Sequence, residues 1–81
     1  MNLYLLSQEE NYGYDTYSSC VVCAENEESA KSISPVTYGE AFDSSIWAEW
    51  ASKPDNVQCT KIGIADSEVK KGVILASYNA G

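Results

Sequence analysis

The sequence contains no histidine and no arginine. Histidine is the commonest general acid or base near neutral pH, and arginine is the usual bidentate clamp for a phosphoryl group in transfer. The G-x-S-x-G, P-loop and dinucleotide-binding glycine patterns are also missing. We therefore expect a protein that binds a partner and is not an enzyme, and we assign it no catalytic residue.

Long hydrophobic runs are missing as well. No segment reaches the roughly 18 apolar residues that a membrane-spanning helix needs. Residues 1–6 are apolar, but no basic segment and no cleavage site accompany them, which is untypical of a secretory signal. We expect a cytoplasmic protein without membrane contact.

Cysteine is scarce and odd in number, with Cys20, Cys23 and Cys59. Cys20 and Cys23 have C-x-x-C spacing, but they lie in a β-branched stretch where side chains three apart point to opposite faces. A zinc site would need a fourth ligand, and a redox pair would need a helix N-terminus. We favour cysteines packed as small apolar residues over a metal or redox site, and we predict no metal and no cofactor.

The 81 residues suffice for a single domain, 1–81, and their hydrophobic fraction of 44% argues against disorder. Twelve acidic residues against five lysines give a net charge of -7. This charge repels phosphate backbones, so we expect no direct binding to nucleic acid or to anionic membranes. It either attracts a basic protein surface or serves solubility alone.

Hydrophobic periodicity and turn residues predict four strands and one helix. The strands cover 2–7, 17–24, 57–65 and 73–79, and the helix covers 27–33. The fold class is α+β, a small antiparallel or mixed sheet in β-β-α-(variable)-β-β order with one helix packed on a face.

Local signals sharpen several elements. Asn26 is a good N-cap, and Pro35 prevents the helix from continuing. The apolar pattern of the third strand changes phase, which predicts a bulge. The run 73–76 is apolar throughout, which predicts a central strand buried on both faces. For 44–51, a short helix and an irregular segment are both open.

The loop between the first two strands is the main candidate site, because it holds three tyrosines within six residues. Tyrosine offers a flat apolar face and a hydroxyl at low entropic cost, which suits stacking on a base or gripping a protein. The acidic residue here has acceptors for ribose hydroxyls or an amino group. The alternative is a purely structural role, in which individual tyrosines only cover the core. The candidate residues are Asn11, Tyr12, Gly13, Tyr14, Asp15, Thr16 and Tyr17.

Trp47 and Trp50 form a second candidate feature, either as core or interface anchors or as a stacking surface for a ligand. Ser77 and Asn79 add polar groups near the end of the last strand. We include all four among the candidate ligand-binding residues.

Several stretches together resemble a family of short proteins encoded by bacteriophages and prophages. They are the Gly13-Tyr14-Asp15-Thr16-Tyr17-Ser18 run, the Val-rich strand and Glu-Glu-Ser-Ala-Lys helix ending near Pro35, the residues Trp50, Pro54, Asp55, Val57 and Ile62-Gly63, and the ending 72–81 with its Asn-Ala-Gly terminus. The resemblance covers nearly the whole chain. It implies a counter-defence protein that acts against bacterial immune signalling in the cytoplasm of an infected host.

Three hypotheses follow. The first is a sponge for a nucleotide-derived signal, such as a cyclic nucleotide or an ADP-ribose conjugate, acting as a homodimer or higher homo-oligomer. The missing arginine weakens it, because lysines and backbone N–H groups would then have to hold phosphates. The second is an acidic inhibitor that binds a host defence protein, in the manner of an anti-CRISPR protein or a nucleic-acid mimic. The third is a phage accessory protein with no defence role.

Overall fold

Over the residues that the structure describes, the fold is an antiparallel sheet with one short helix. The computed structural model describes residues 1–11, 13, 15–36 and 50–79. The elements in chain order are β1 (Asn2–Ser7), β2 (Thr16–Ala24), α1 (Glu27–Lys31), a 3-10 turn (Pro54–Asn56), β3 (Gln58–Ile64) and β4 (Gly72–Asn79). The predicted α+β class is confirmed at this level.

The four strands lie in the order β3-β1-β2-β4, and each neighbouring pair is antiparallel. The β1–β2 ladder runs without interruption from Asn2 opposite Ala24 to Ser7 opposite Ser19. β1 and β2 are therefore the inner strands, and the loop 8–15 connects them at one end of the sheet.

The predicted bulge in the third strand is confirmed. Leu3 lies opposite Gly63 and Tyr4 lies opposite Lys61, so that Ile62 is the extra residue. A bulge changes which face the following side chains occupy, and this accounts for the phase change in the apolar pattern.

The prediction that 73–76 form a central, doubly buried strand is wrong. Among the described strands, β4 pairs only with β2 and lies at the edge of the sheet, and the side chains of Ile74 and Leu75 are 49% and 69% exposed. Of the residues 73–76, only Val73 and Ala76 pack against the hydrophobic core. The continuous apolar pattern reflects a bulge at Ile74 and an exposed sheet face, because Val22 lies opposite Val73 and Val21 lies opposite Leu75.

Helix α1 begins where its cap predicts. The Asn26 side chain accepts the backbone N–H of Ser29 at 2.8 Å, and its backbone is extended. The helix ends at Lys31, two residues before the predicted end, and Ser32 is its C-cap. Because the helix has only about one and a half turns, its stability depends on packing against the rest of the protein.

The core lies on the sheet face that carries Tyr4, Leu6, Cys20 and Val22. The remaining buried members of this cluster come from the end of β2, from the helix and its C-terminal flank, and from 50–57; they are Ala24, Ala30, Ile33, Trp50, Ala51 and Val57. Of the candidate helix 44–51, the stretch 44–49 lies outside the described residues. Trp50 and Ala51 are not helical.

The three cysteines are free, and Cys20 and Cys23 lie on opposite faces of β2, as predicted. Cys20 lies opposite the core residue Leu6, whereas Cys23 lies opposite Leu3, with its Sγ 3.9 Å from the carbonyl oxygen of Val69. Burial raises the pKa of the Cys20 thiol to about 12. The C-x-x-C spacing therefore does not bring the two thiols together.

Across the described ranges, no helix is long and apolar enough to cross a membrane.

Candidate ligand-binding site

The loop between β1 and β2 is fastened at its start by the buried side chain of Gln8. Its Nε2 donates to the carbonyl oxygens of Asn11 (2.5 Å) and Tyr17 (2.9 Å), and its Oε1 accepts the backbone N–H of Asn11 at 2.8 Å. One side chain thus satisfies three backbone groups that the loop removes from the strand ladder. This arrangement holds residues 8–11 against the beginning of β2.

The same part of the loop is hydrogen-bonded to the segment 50–56. The Glu10 carboxylate accepts the Asn56 amide at 2.7 Å, the Ser52 hydroxyl at 3.0 Å and the Ser52 backbone N–H at 3.2 Å. These bonds, the Asn56 one first, lower the pKa of Glu10 below its ordinary value of 4.5. Asn11 donates from Nδ2 to the carbonyl oxygen of Trp50 at 2.5 Å.

The end of the loop turns through two residues with positive φ, Gly13 at 114° and Asp15 at 61°. Glycine adopts such angles without a steric cost, whereas aspartate tolerates the left-handed region because its short side chain hydrogen-bonds locally. Thr16 Oγ1 donates to the carbonyl oxygen of Gly13 at 2.9 Å, which closes the turn.

The loop end meets the end of β4. The Asp15 backbone N–H donates to the carbonyl oxygen of Asn79, and Asn79 Nδ2 donates to Thr16 Oγ1 at 3.4 Å. The Tyr78 hydroxyl donates to Asp15 Oδ1 at 3.3 Å. The rings of Tyr17 and Tyr78 lie 4.8 Å apart at 55°. We call Asp15, Thr16, Tyr17, Tyr78 and Asn79 the Asp15 cluster.

The Asp15 cluster is partly open to solvent, although its Thr16 is buried. Asp15 is exposed, and the Tyr78 side chain is 46% exposed. Beside it, along β4, is a groove of about 440 Å³ lined by Tyr17, Val73, Ile74, Leu75, Ala76 and Tyr78. A carboxylate and two tyrosine rings next to an apolar groove suit a ligand with a flat ring and hydrogen-bond donors.

The charge of the Asp15 cluster is that of its one carboxylate. Lys70 and Lys71 precede β4, and seven residues of strand separate Lys71 from Tyr78, roughly 23 Å at about 3.3 Å per residue. The cluster therefore favours donors such as ribose hydroxyls or amino groups over phosphate oxygens. In the described part of the chain, no three Cys, Asp or Glu residues are grouped to hold a metal ion.

The structure brings together four of the predicted site residues, namely Asp15, Thr16, Tyr17 and Asn79. Gly13 is held by Thr16, and Asn11 is turned toward the carbonyl of Trp50. Tyr12, Tyr14 and Trp47 lie outside the described residues.

Two other predicted site residues lie apart from the cluster. Ser77 is exposed and pairs with Ser19, next to a depression that Leu5 and Val21 also line. Trp50 is only 1% exposed and belongs to the core, where its Nε1 has no hydrogen-bond partner among the described atoms. Its indole is thus placed for packing and not for stacking on a surface ligand.

Three contributors escaped the sequence reasoning. Tyr78 is part of the cluster because β4 pairs with β2, and Tyr17 lies opposite it in the ladder. Gln8 and Glu10 position the loop through contacts that span up to 46 residues in sequence. The sequence does show a tyrosine near the start of β2 and another near the end of β4. That these two tyrosines share a site can be inferred only once the pairing of β2 with β4 is known.

Comparison with protein families, with characterised proteins and with solved structures finds no match for this chain.

Proposed function

We propose that this protein binds and sequesters a nucleotide-derived immune signal, such as an ADP-ribose conjugate or a cyclic nucleotide, without catalysing a reaction. The observation that carries the proposal is the meeting of Asp15, Thr16 and Tyr17 from the loop with Tyr78 and Asn79 from β4. A sponge needs affinity without turnover, and a preformed polar and aromatic surface provides it.

Each group in the cluster has a role in this proposal. Asp15 accepts hydrogen bonds from ribose hydroxyls, and the Asn79 amide supplies both a donor and an acceptor for a base or a sugar. The exposed ring of Tyr78 stacks on the base, a contact worth about 1–3 kcal/mol per base in single-strand binders. The ligand replaces Tyr78 as the donor to Asp15, which is inexpensive because that bond is long and exposed.

The phosphates of such a ligand need a different partner. Without arginine, they are held by lysine or by backbone N–H groups. A second copy of the chain enlarges the enclosing surface, so the proposed active form is a homodimer or a higher homo-oligomer.

The biological setting is part of the proposal. The resemblance to short phage and prophage proteins supports a counter-defence role in the cytoplasm of an infected bacterium, with no direct contact to nucleic acid or membrane. The proposed scaffold is the full β-β-α-(variable)-β-β arrangement with the helix packed on one sheet face. The net charge of -7 supports the exclusion of nucleic acid.

Titration calorimetry against a panel of cyclic nucleotides and ADP-ribose derivatives tests the proposal. We expect one ligand class to bind wild type and to bind Asp15→Asn at least about tenfold more weakly, the loss of one charge-assisted hydrogen bond. Asp66→Asn is the matched control, an exposed aspartate in the β3–β4 connection. Absence of heat with every ligand at high concentration contradicts the proposal.

The second candidate is an acidic inhibitor of a host defence complex. The observation in its favour is a groove of about 540 Å³ between α1 and the 3-10 turn. Its charged lining residues are three acids and one lysine, namely Glu27, Glu28, Asp55 and Lys31. A basic protein surface would bind here, with an affinity that falls steeply as salt rises. Capture of one stoichiometric bacterial protein by wild type, and its loss in Glu27→Gln/Glu28→Gln, would support this candidate over the sponge.

A further inference from the structure

The sheet has a second face, opposite the core, which we call the outer face. It is defined by the residues that alternate with the core residues Tyr4, Leu6 and Val22 along the inner strands. Its apolar members are Leu3 and Leu5 of β1, Val21 and Cys23 of β2, and Leu75 of β4. Cys23 is fully buried and its Sγ lies 3.9 Å from the carbonyl oxygen of Val69, so the β3–β4 connection covers this end of the face.

The apolar residues of the outer face form a continuous row. The ladders place Leu5 opposite Val21 and Val21 opposite Leu75, so that one row crosses three strands. Leu5 is 40% exposed and Leu75 is 69% exposed. Between them lies a depression of about 250 Å³ that has room for a side chain from another molecule. The row therefore combines exposed leucines with a hollow that accepts one.

The strand residues that form the outer face carry no charge. The four strands contain a single charged residue, Lys61, which lies opposite Tyr4 on the core side. The polar residues of the outer face are neutral, namely Ser7, Ser19, Gln58, Thr60 and Ser77. In a chain with a net charge of -7, this is a surface on which two like-charged copies meet without charge repulsion.

The size of the outer face limits the affinity of a dimer. Four strands at about 4.8 Å spacing and about six residues of about 3.3 Å give a flat area of roughly 400 Å². This flat area is smaller than the roughly 600 Å² per partner at the lower end of specific interfaces. A dimer of modest affinity follows from this area.

We propose that two copies of this chain pack outer face to outer face, as a sandwich of two four-stranded sheets with the helices outside. The leucine rows interdigitate about 10 Å apart, which is the usual spacing of packed sheets. A two-fold axis makes the contact self-complementary, because the same leucine row and hollow occur on both copies. This inference deepens the homodimer in the proposed function and rests on it. Leu75 lines both the depression in the leucine row and the groove beside the Asp15 cluster, so the contact borders the proposed ligand site.

Sedimentation equilibrium across micromolar to millimolar concentrations tests the proposal. We expect wild type to reach twice the chain mass. Leu5→Glu and Leu75→Glu each bury a carboxylate in the apolar contact and weaken the dimer at least about thirtyfold. Ile64→Glu is the matched control, an apolar residue that is 78% exposed but lies opposite Asn2 on the core side, so the dimer persists.

Several outcomes overturn the inference. A wild type that remains monomeric throughout does so by itself, whatever the variants do. A dimer that survives Leu5→Glu but not Leu75→Glu shows association through the β4 edge and not through the face. A dimer that survives both, or dissociates equally with Ile64→Glu, places the contact elsewhere.

Ligand binding is measured separately, so the two proposals fail independently. A dimer that binds no nucleotide contradicts the sponge and leaves the interface standing. A monomer that binds nucleotide through Asp15 contradicts the interface and leaves the sponge standing.

Discussion

Asp15 occupies a backbone conformation that the fold maintains at a cost, and its substitution separates backbone strain from side-chain function. With φ at 61°, the residue lies in the left-handed region. This region costs an ordinary L-residue about 1–2 kcal/mol, and less for aspartate and asparagine. Alanine has no compensating side chain. We therefore expect Asp15→Ala to lower the free energy of unfolding by about 1 kcal/mol.

Glycine at the same position removes the strain but also makes the unfolded chain more flexible, at a cost of about 0.4–1 kcal/mol. Asp15→Gly should consequently be more stable than Asp15→Ala by roughly 0.5–1 kcal/mol. Both variants lose the exposed hydrogen bond from Tyr78, so their difference isolates the backbone. Tyr78→Phe removes that bond and keeps the backbone of Asp15 unchanged, and we expect a loss of at most about 0.5 kcal/mol.

Urea unfolding, followed by circular dichroism and by tryptophan fluorescence, to which the buried Trp50 contributes, measures these differences. For a domain of this size, about 1 kcal/mol corresponds to a melting temperature lower by about 4–8 °C. The reasoning is refuted if Asp15→Ala is as stable as wild type or more stable than Asp15→Gly. Asp15→Asn should retain stability, which makes it the proper variant for binding studies.

Three further predictions use the same unfolding assay or simple chemistry. Because the pKa of Glu10 is lowered in the folded state, its contribution to stability is complete above about pH 4.5 and is lost as pH falls through the folded-state pKa. Glu10→Gln should therefore reduce the loss of unfolding free energy at acid pH, and an unchanged loss would contradict this assignment. Leu6→Ala, in the core, should cost about 2–5 kcal/mol, whereas Leu5→Ala should cost under about 1 kcal/mol in the monomer; equal costs would refute the assigned faces. With its pKa near 12, Cys20 should resist alkylation at pH 8 in the native protein and react after unfolding; rapid native labelling would contradict its burial.

Local sequence signals predicted the elements of this fold well. The Asn26 cap, the turn residues around Gly13 and the phase change before Ile62 depend on interactions within a few residues, and each corresponds to an observed feature. Strand pairing depends on residues that are distant in sequence, so local signals could not predict that β4 lies at the edge of the sheet. An apolar run looks the same in a central strand and in an edge strand that presents one face to a partner.

The candidate site was predictable only in part for the same reason. The loop 11–17 was visible from its composition, and Asn79 from its polarity near a strand end. Tyr78 belongs to the site because β4 pairs with β2. Trp50 lies in the core, in a segment that Glu10 binds through Asn56. Composition marks a segment as functional, but tertiary pairing decides which side chains share a site.

The central claim is that the Asp15 cluster holds a nucleotide-derived ligand, and a native mass spectrum tests it most directly. The protein is purified gently from bacteria whose nucleotide-based immune signalling is active, alongside Asp15→Asn from the same cells. The claim predicts wild type carrying the added mass of a nucleotide derivative, and Asp15→Asn with that mass absent or greatly reduced. Wild type without any adduct, or the same adduct on both proteins at equal occupancy, would contradict it.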